Sequence, residues 1–367
     1  MKLSTTHRNS STAVTCSTTR APTFVPAVLH SRYHTATITC FQETARRAAS
    51  LPEIKEHAKS LGIEFRPLNP VFGAEVIGVD LSQPLPDSTK ALLQDAQWQY
   101  GVTLYRGQTM GPAEESSFLQ SFPHDESAIA EERFCNGFFP ERVPGHPMLA
   151  VRGKTSFVPV WHMDKNELVC PPELCSIYML KAPTVGGETL YASAVHAYEL
   201  LSPEKKAFFE TLQCEYRADS AFRGLTIDDN GVWRVDDVEA AVKLADAEPV
   251  ELKYGPRYMV HPLVIRDPYT GLKSIFYNTA LFTNFVGYSR QQSREILEEA
   301  LVAATAPELV VEMKWQPGDF VIWSNRMVFH SNTPDVMFDA SERLFHLAFL
   351  DSKTPVVAAR ESVQSTV

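Results

Sequence analysis

Short segments with the residue pattern of β-strands recur along most of the chain, and Pro and Gly residues separate them. Segments typical of strands lie at 63–65, 72–81, 102–105, 148–152, 174–181, 189–192, 258–264, 274–277, 319–323 and 343–350. Helical patterns lie near 43–61, 87–99, 194–213, 236–245 and 289–304. A doubly wound parallel sheet is disfavoured, because strands and helices do not alternate and no GxGxxG sequence opens a helix. The pattern predicts a mainly β fold with peripheral helices, either an antiparallel barrel or a double-sheet jelly roll.

Composition excludes several kinds of partner. Hydrophobic residues make up 44% of the 367 residues and charged residues 21%, which is ordinary for a globular domain. Apolar runs such as Phe320 to Trp323 are far shorter than the ~18–20 residues of a membrane span. The net charge is −10, and no basic block lies outside the N-terminal region. We therefore expect no membrane partner and no nucleic acid, since phosphate binding needs clustered Lys and Arg.

The N-terminal region differs from the rest. Residues 1–42 contain no Asp or Glu but many Ser and Thr, together with the basic residues Lys2, Arg8, Arg20 and Arg32. This composition predicts an organelle transit peptide, for a plastid or a mitochondrion. The alternative is a disordered tail on a cytoplasmic protein. We expect a transit or disordered segment at 1–47, one catalytic domain at 48–352 and a flexible tail at 353–367. The six cysteines lack CxxC spacing, which predicts reduced, mostly buried thiols.

Two potential metal ligands, His162 and Asp164, are separated by one residue in the sequence WHMD at 161–164. If this segment is a strand, His162 and Asp164 point to the same face and can reach one ion. A third ligand must then come from a distant segment. Within 315–330, a Pro-Gly-Asp turn is followed by an apolar strand that ends at His330. Two histidines and one carboxylate, with the other positions open, are the ligands of non-haem Fe(II) oxygenases.

Two further residues suit a chelating cosubstrate. A dicarboxylate such as 2-oxoglutarate binds iron through its keto acid, so its far carboxylate needs a cation and a hydroxyl. Arg343 follows His330 by 13 residues, and a guanidinium pairs with a carboxylate through two parallel hydrogen bonds. Thr189 follows a Gly-Gly turn, 27 residues after His162, and offers a hydroxyl on a predicted strand. The ordered set is far more specific than any single member.

With these residues in place, the chain resembles the taurine/2,4-dichlorophenoxyacetate dioxygenase (TauD/TfdA-like) family of Fe(II)/2-oxoglutarate-dependent oxygenases. The resemblance spans about residues 62–352. Similar segments include FRPL at 65–68, FGAE at 72–75, VTLYR at 102–106 and HPLVIRDPYTGLKSIFYN at 261–278. It implies a double-stranded β-helix core, which is a cupin-like jelly roll. It also implies oxidation of an unactivated C–H bond while 2-oxoglutarate and O2 become succinate and CO2.

The resemblance carries over to individual positions. His162, Asp164 and His330 match the iron ligands of the family. Thr189 and Arg343 match the residues that contact the cosubstrate carboxylate. Trp323 matches an aromatic residue near that pocket.

Departures from the family pattern concern the substrate. Ser324 stands where members often have Asp in a WDNR sequence, and Leu347 stands where taurine-specific members have a second Arg. We therefore expect no sulfonate recognition by residue 347. A less anionic substrate, or one bound by Lys165 or Arg257, is more consistent. His124 is a further substrate candidate, since it lies where members often carry a pocket loop. The expected substrate is a small organic acid or an amino-acid-like molecule.

Several alternatives stay open. The same hydrogen removal could serve an oxidative cyclase or a desaturase of specialised metabolism. The three ligands could also belong to a zinc hydrolase, or to a non-catalytic jelly-roll module. His346 is a rival to His330 as a ligand, and residues 163–185 could form a mobile lid. A homodimer is possible.

Overall fold

The structure is a computed structural model that describes residues 47–126, 141–153, 160–217, 225–227, 233–235, 258–333 and 343–360. These residues lie within one compact unit, Cys40–Val367. The predicted transit peptide, the predicted helix at 236–245 and Arg257 lie outside the described residues. None of the helices in the described part combines the length and the apolar character that crossing a membrane requires.

The described strands and helices follow the chain in a largely β order. The strands are β1 Glu64–Pro67, β2 Ala74–Ile77, β3 Val102–Tyr105, β4 Arg142–Val143, β5 His146–Arg152, β6 Leu174–Lys181, β7 Thr189–Ser193, β8 Gln213–Arg217, β9 Leu225–Ile227, β10 Trp233–Val235, β11 Tyr258–Pro262, β12 Val264–Arg266, β13 Lys273–Ile275, β14 Phe282–Phe285, β15 Val310–Met313, β16 Phe320–Ser324, β17 Val328–Asn332 and β18 Leu344–Leu350. The helices are α1 Leu51–Ser60, α2 Asp87–Tyr100, α3 Pro112–Gln120, α4 Ala194–Glu199, α5 Pro203–Phe209 and α6 Arg290–Ala304, with a 3-10 turn at Pro307–Leu309.

Two sheets build the core of the fold. The larger has eight strands in the order β1-β2-β3-β16-β6-β18-β5-β4, antiparallel except for the parallel pair β2–β3. The smaller has three strands in the order β15-β7-β17. Side chains of both sheets line one cavity, and the rings of Tyr191 on β7 and Trp323 on β16 are 5.6 Å apart. The prediction of a mainly β jelly roll with peripheral helices is confirmed.

The sequence explains why β16 lies at the centre of the larger sheet. Its residues Phe320–Ser324 are all buried, and the run is apolar on both faces because α2 packs against β3 and β16 from outside. Helix α2 buries Leu92, Leu93 and Ala96, the face that its sequence predicts. It ends at Gly101, which has a φ of +73° that glycine adopts without strain.

Four predicted segments differ from the structure. Helix α1 begins at Leu51 rather than 43, since the Ser50 N–H donates to the Glu53 carboxylate at 2.8 Å and Pro52 lies in the first turn. The predicted helix at 194–213 is two helices and the start of β8, because Ser202 caps a new helix. The predicted strand ending at His330 is two strands, β16 and β17, separated by a buried turn. The predicted lid at 163–185 is wrong for 174–181, because these residues form β6, which pairs with both β16 and β18.

The packed structure also continues beyond residue 352. The Arg266 N–H donates to the Val357 carbonyl, and the Ala359 N–H donates to the Val264 carbonyl, both at 3.0 Å. Ala359 is buried. The part of the predicted tail up to residue 360 is therefore held against β12, while 361–367 lie outside the described residues.

Candidate active site

Three side chains bring their metal-ligating atoms together at the edge of the cavity. The ligating atoms of His162, Asp164 and His330 all lie within 4.8 Å of one another. The Nε2 atom of His162 is 3.8 Å from Oδ1 of Asp164, and the Nε2 atom of His330 is 3.4 Å from Oδ2. Within the described ranges, this is the one group of three or more His, Cys, Asp or Glu side chains that are so close.

The two histidines are neighbours because their backbones are hydrogen-bonded to each other. The His162 N–H donates to the His330 carbonyl at 3.0 Å, and the His330 N–H donates back at 2.9 Å. His162 thus lies beside β17 as a single bridged residue, and Asp164 lies in the turn that follows. The predicted strand over 161–164 is not present. The bridge and the turn, rather than the alternation of a strand, bring the two side chains to one ion-sized space.

Asn325 holds the backbone of Asp164. Its Oδ1 accepts a hydrogen bond from the Asp164 N–H at 2.7 Å, and its Nδ2 donates to the Asp164 carbonyl at 2.9 Å. The same Nδ2 donates to the Pro172 carbonyl at 3.2 Å. No role was predicted for Asn325, although a polar residue between two apolar strand segments is a signal for a structured turn. Buried in the β16–β17 turn, it is the residue that orients this potential ligand.

Further contacts fasten the loop around the ligands. The Met163 N–H donates to the Tyr277 carbonyl at 3.1 Å, and Asn278 donates to the Met163 carbonyl at 2.5 Å. His261 Nε2 is 2.8 Å from the Leu168 carbonyl. Burial lowers the pKa of His261 to about 4, so its ring is neutral and donates its one N–H. Residues His261, Tyr277 and Asn278 of the segment 261–278 thus support the loop that carries Asp164, and they do not line the cavity.

The three side chains suit a divalent cation. His162 Nδ1 lies 2.7 Å from the Val160 carbonyl, which can only accept, so Nδ1 carries a proton and Nε2 is the nitrogen that faces Asp164. Burial lowers the pKa of His330 well below its usual range, which favours the neutral ring. Burial also raises the pKa of Asp164, which a bound cation would counteract. Two neutral imidazoles and one carboxylate are the donor set of non-haem Fe(II) sites.

A buried thiol touches the same carboxylate. Cys175 on β6 has its Sγ 3.6 Å from Oδ2 of Asp164. Burial raises the pKa of Cys175, so the sulfur keeps its proton and donates it. The prediction of buried, reduced thiols holds for Cys175 and Cys214 among the described residues.

Thr189 and Arg343 line the same cavity. Arg343 is 5% exposed, and its Nη2 donates to the Thr189 hydroxyl at 3.3 Å. The indole N–H of Trp315 donates to the same hydroxyl at 3.1 Å. The guanidinium also lies over the ring of Phe345, 4.8 Å from its centroid. A buried cation beside a hydroxyl is a site for a carboxylate.

The predicted residues meet in one cavity. Its lining holds the three potential ligands with Thr189, Arg343 and Trp323, and also Ile177, Asn332, Phe345, Leu347 and Phe349. Leu347 is therefore placed where a substrate could meet it. Seven of the predicted site residues thus line one cavity, while Arg257 lies outside the described residues.

Lys165 and His124 are not part of this lining. Lys165 Nζ is 3.6 Å from a carboxylate oxygen of Asp351 and 4.4 Å from the centre of the Phe349 ring. Its backbone has a φ of +57°, which is uncommon for a residue with a side chain. His124 Nδ1 is 2.8 Å from the Phe122 carbonyl. Asp351 thus already compensates the charge of Lys165, which lies against the ring of Phe349.

His346 is excluded as the third ligand. Its Nδ1 is 2.6 Å from Oε2 of Glu115 on α3. Phe345 and Leu347 face the cavity, so the residue between them points to the opposite face of β18. The buried pair attaches α3 to the outer face of the larger sheet.

The jelly-roll fold, the His/Asp/His group and the buried Arg343 in one cavity are the features of a cosubstrate-dependent oxygenase. The model of the "Taurine catabolism dioxygenase TauD, TfdA family" matches residues 64–348, and the chain belongs to this family. It is a 2-oxoglutarate-dependent dioxygenase. Members of the family act on small molecules.

Relatives and a solved structure agree with this assignment. The chain is 27% identical to an alkylsulfatase of Acinetobacter baylyi over 282 residues, which cover 73% of this chain and 79% of the relative. It is 26% identical to an (S)-phenoxypropionate/alpha-ketoglutarate-dioxygenase of Sphingobium herbicidovorans over 280 residues, covering 75% and 91%. The crystal structure of a putative alpha-ketoglutarate-dependent taurine dioxygenase from Burkholderia xenovorans superposes with a TM-score of 0.63 at 25% identity, covering 82% and 96%.

Proposed function

We propose that the enzyme binds Fe(II) through His162, Asp164 and His330, and 2-oxoglutarate through Thr189 and Arg343. With O2 it would oxidise an unactivated C–H bond of a small organic acid or amino-acid-like substrate. The observation that carries this proposal is the shared cavity, whose lining includes the three potential metal ligands and the buried guanidinium of Arg343. Bound iron would supply the activation of O2.

The remaining roles belong to the side chains of this chain. His162 and His330 offer two ring nitrogens and Asp164 a carboxylate, so an ion held by them would keep other coordination positions open. Arg343 lines the cavity with a buried guanidinium, which suits a carboxylate, and the 2-oxoglutarate carboxylate would bind there. Trp323 forms part of the cavity wall.

The wall beside the metal ligands supports an apolar reacting group. Ile177 on β6 and the alternating residues Leu347 and Phe349 on β18 line the same cavity as the potential metal ligands. Lys165 lies behind Phe349, and Asp351 already compensates its charge. An acidic or zwitterionic group of the substrate would therefore bind away from the C–H bond that reacts.

Succinate formation tests the proposal. The full chain is incubated with Fe(II), 2-oxoglutarate and O2 against organic acids, amino acids, alkyl sulfates and phenoxy acids. We expect succinate and oxidised substrate in equal amounts, and loss of both in His330→Ala. The matched control is His346→Asn on β18, a histidine that points away from the cavity; the variant keeps a donor for Glu115 and should retain activity.

Other outcomes point to other functions. Product formation without O2 and 2-oxoglutarate would contradict the proposal and favour a zinc hydrolase. Metal binding without succinate across the panel would contradict it in favour of a non-catalytic module. The product separates the oxygenase reactions, because hydroxylation adds an oxygen atom whereas desaturation and ring closure remove two hydrogen atoms.

A further inference from the structure

The hydroxyl group of Thr189 receives two hydrogen bonds. Trp315 Nε1 lies 3.1 Å from Oγ1 and Arg343 Nη2 lies 3.3 Å from it. A threonine hydroxyl can accept two hydrogen bonds and donate one. Because an indole N–H and a guanidinium can only donate, both acceptor positions of Oγ1 are taken. The O–H proton must therefore point away from both partners.

We propose that Trp315 is a positioning residue that fixes the Thr189 hydroxyl as a hydrogen-bond donor to the 2-oxoglutarate carboxylate. This rests on the cosubstrate site of the proposed function. Thr189 lines the cavity, so a proton directed away from Trp315 and Arg343 is available to a ligand there. The cavity then presents a guanidinium and a donating hydroxyl. An ionised carboxylate, which only accepts hydrogen bonds, matches this surface, whereas an amide or an ammonium group brings its own donors against it.

The fold holds Trp315 firmly enough for this role. In the smaller sheet, Met313 at the end of β15 pairs with Thr189, which brings Trp315 close to the hydroxyl. The turn after Trp315 is anchored, since the Gln316 N–H donates to the Asp319 carboxylate at 2.7 Å and the Gly318 N–H donates to the Met179 carbonyl at 2.8 Å. Trp315 itself is buried. The indole N–H thus has little freedom to leave the hydroxyl.

Cosubstrate binding without turnover tests the proposal. The dissociation constant of the unreactive analogue N-oxalylglycine is measured by calorimetry on the full chain loaded with Mn(II), for wild type, Trp315→Phe, Thr189→Ala and the double variant. We expect Thr189→Ala to weaken binding about 10-fold, since it removes a hydrogen bond to a charged group. Trp315→Phe should weaken it about 3- to 10-fold, and the double variant no more than Thr189→Ala alone.

Three controls distinguish the loss of the indole N–H from a general effect on packing. Trp98→Phe, which changes another buried tryptophan, should leave the constant unchanged. In a Thr189→Ser background, which keeps the hydroxyl, Trp315→Phe should regain its effect. Replacement of Trp315 by 3-benzothienylalanine removes only the N–H at constant shape and should weaken binding as Trp315→Phe does. It keeps the test available if Trp315→Phe folds poorly. In turnover, the KM for 2-oxoglutarate should rise with kcat nearly unchanged.

The outcomes separate this inference from the proposed function. Equal weakening by Trp315→Phe in the wild-type and Thr189→Ala backgrounds would overturn the positioning role alone. So would a benzothienylalanine variant that binds like wild type. If neither Thr189→Ala nor Arg343→Gln weakens binding, the cosubstrate site itself is wrong, and the inference falls with it.

Discussion

Replacing Asn325 with alanine removes the group that orients Asp164, while all three potential ligands keep their own side chains. The change deletes three hydrogen bonds, of 2.7, 2.9 and 3.2 Å, and leaves one backbone N–H and two carbonyls of the ligand loop without their partner. At about 1 kcal/mol each, the free energy of unfolding should fall by about 3 kcal/mol. Loss of a group that orients a metal ligand typically costs about 10- to 100-fold in metal affinity.

The metal affinity separates orientation from general destabilisation. Mn(II) binding is measured by calorimetry and unfolding by urea. Asn69→Ala is the matched control, since Asn69 is also buried and also bonds two backbone groups, the Glu308 carbonyl at 3.1 Å and the Val71 N–H at 3.0 Å. It should lose stability but keep its affinity for Mn(II). Asn325→Asp should bind Mn(II) weakly as well, because a carboxylate cannot donate to the two carbonyls. Equal Mn(II) affinity in Asn325→Ala and Asn69→Ala would refute the orienting role.

Three further predictions concern acid stability, the thiol and the N-terminus. Because the pKa of folded His261 is about 4 and its unfolded value about 6.5, stability should be fully present above pH ~6.5 and fall by about 3 kcal/mol toward pH 4. Urea midpoints against pH should show a smaller fall in His261→Gln, and an equal fall would contradict this origin. Cys175→Ala should lower Mn(II) affinity about threefold in calorimetry, since a weak S–H donor to Asp164 is lost; unchanged affinity would remove the thiol from the site. A fluorescent protein fused after residues 1–42 should enter a plastid or mitochondrion, and diffuse cytoplasmic fluorescence would favour the disordered tail.

The sequence predicted the site better than it predicted the local structure that builds it. The ligand types, their order and the Arg and Thr partners follow from coordination chemistry and from resemblance to a family, and the structure gathers them in one cavity. The predicted reason why His162 and Asp164 lie together was wrong, since it assumed the alternation of side chains along a strand. A backbone bridge to a residue far along the chain is not visible in a local pattern.

Supporting contacts escaped prediction for the same reason. Asn325 contacts Asp164 across 161 positions and Trp315 contacts Thr189 across 126. Both contacts involve one side chain and one particular partner, so neither leaves a periodic signal. Lys165 is a related case. It was predicted as a cation for the substrate, and the sequence pattern gave no sign that Asp351, far along the chain, lies 3.6 Å from its amino group.

The mutual bridge between His162 and His330 has a consequence for how the protein matures. Two potential ligands that lie 168 positions apart in the chain meet only when that pair of backbone hydrogen bonds forms, and closing so long a stretch of chain is entropically costly. An unfolded polypeptide therefore offers iron no finished binding place, and under the proposed function the ion would be acquired by a chain that has already folded. Refolding without metal should proceed at the same rate as refolding with it.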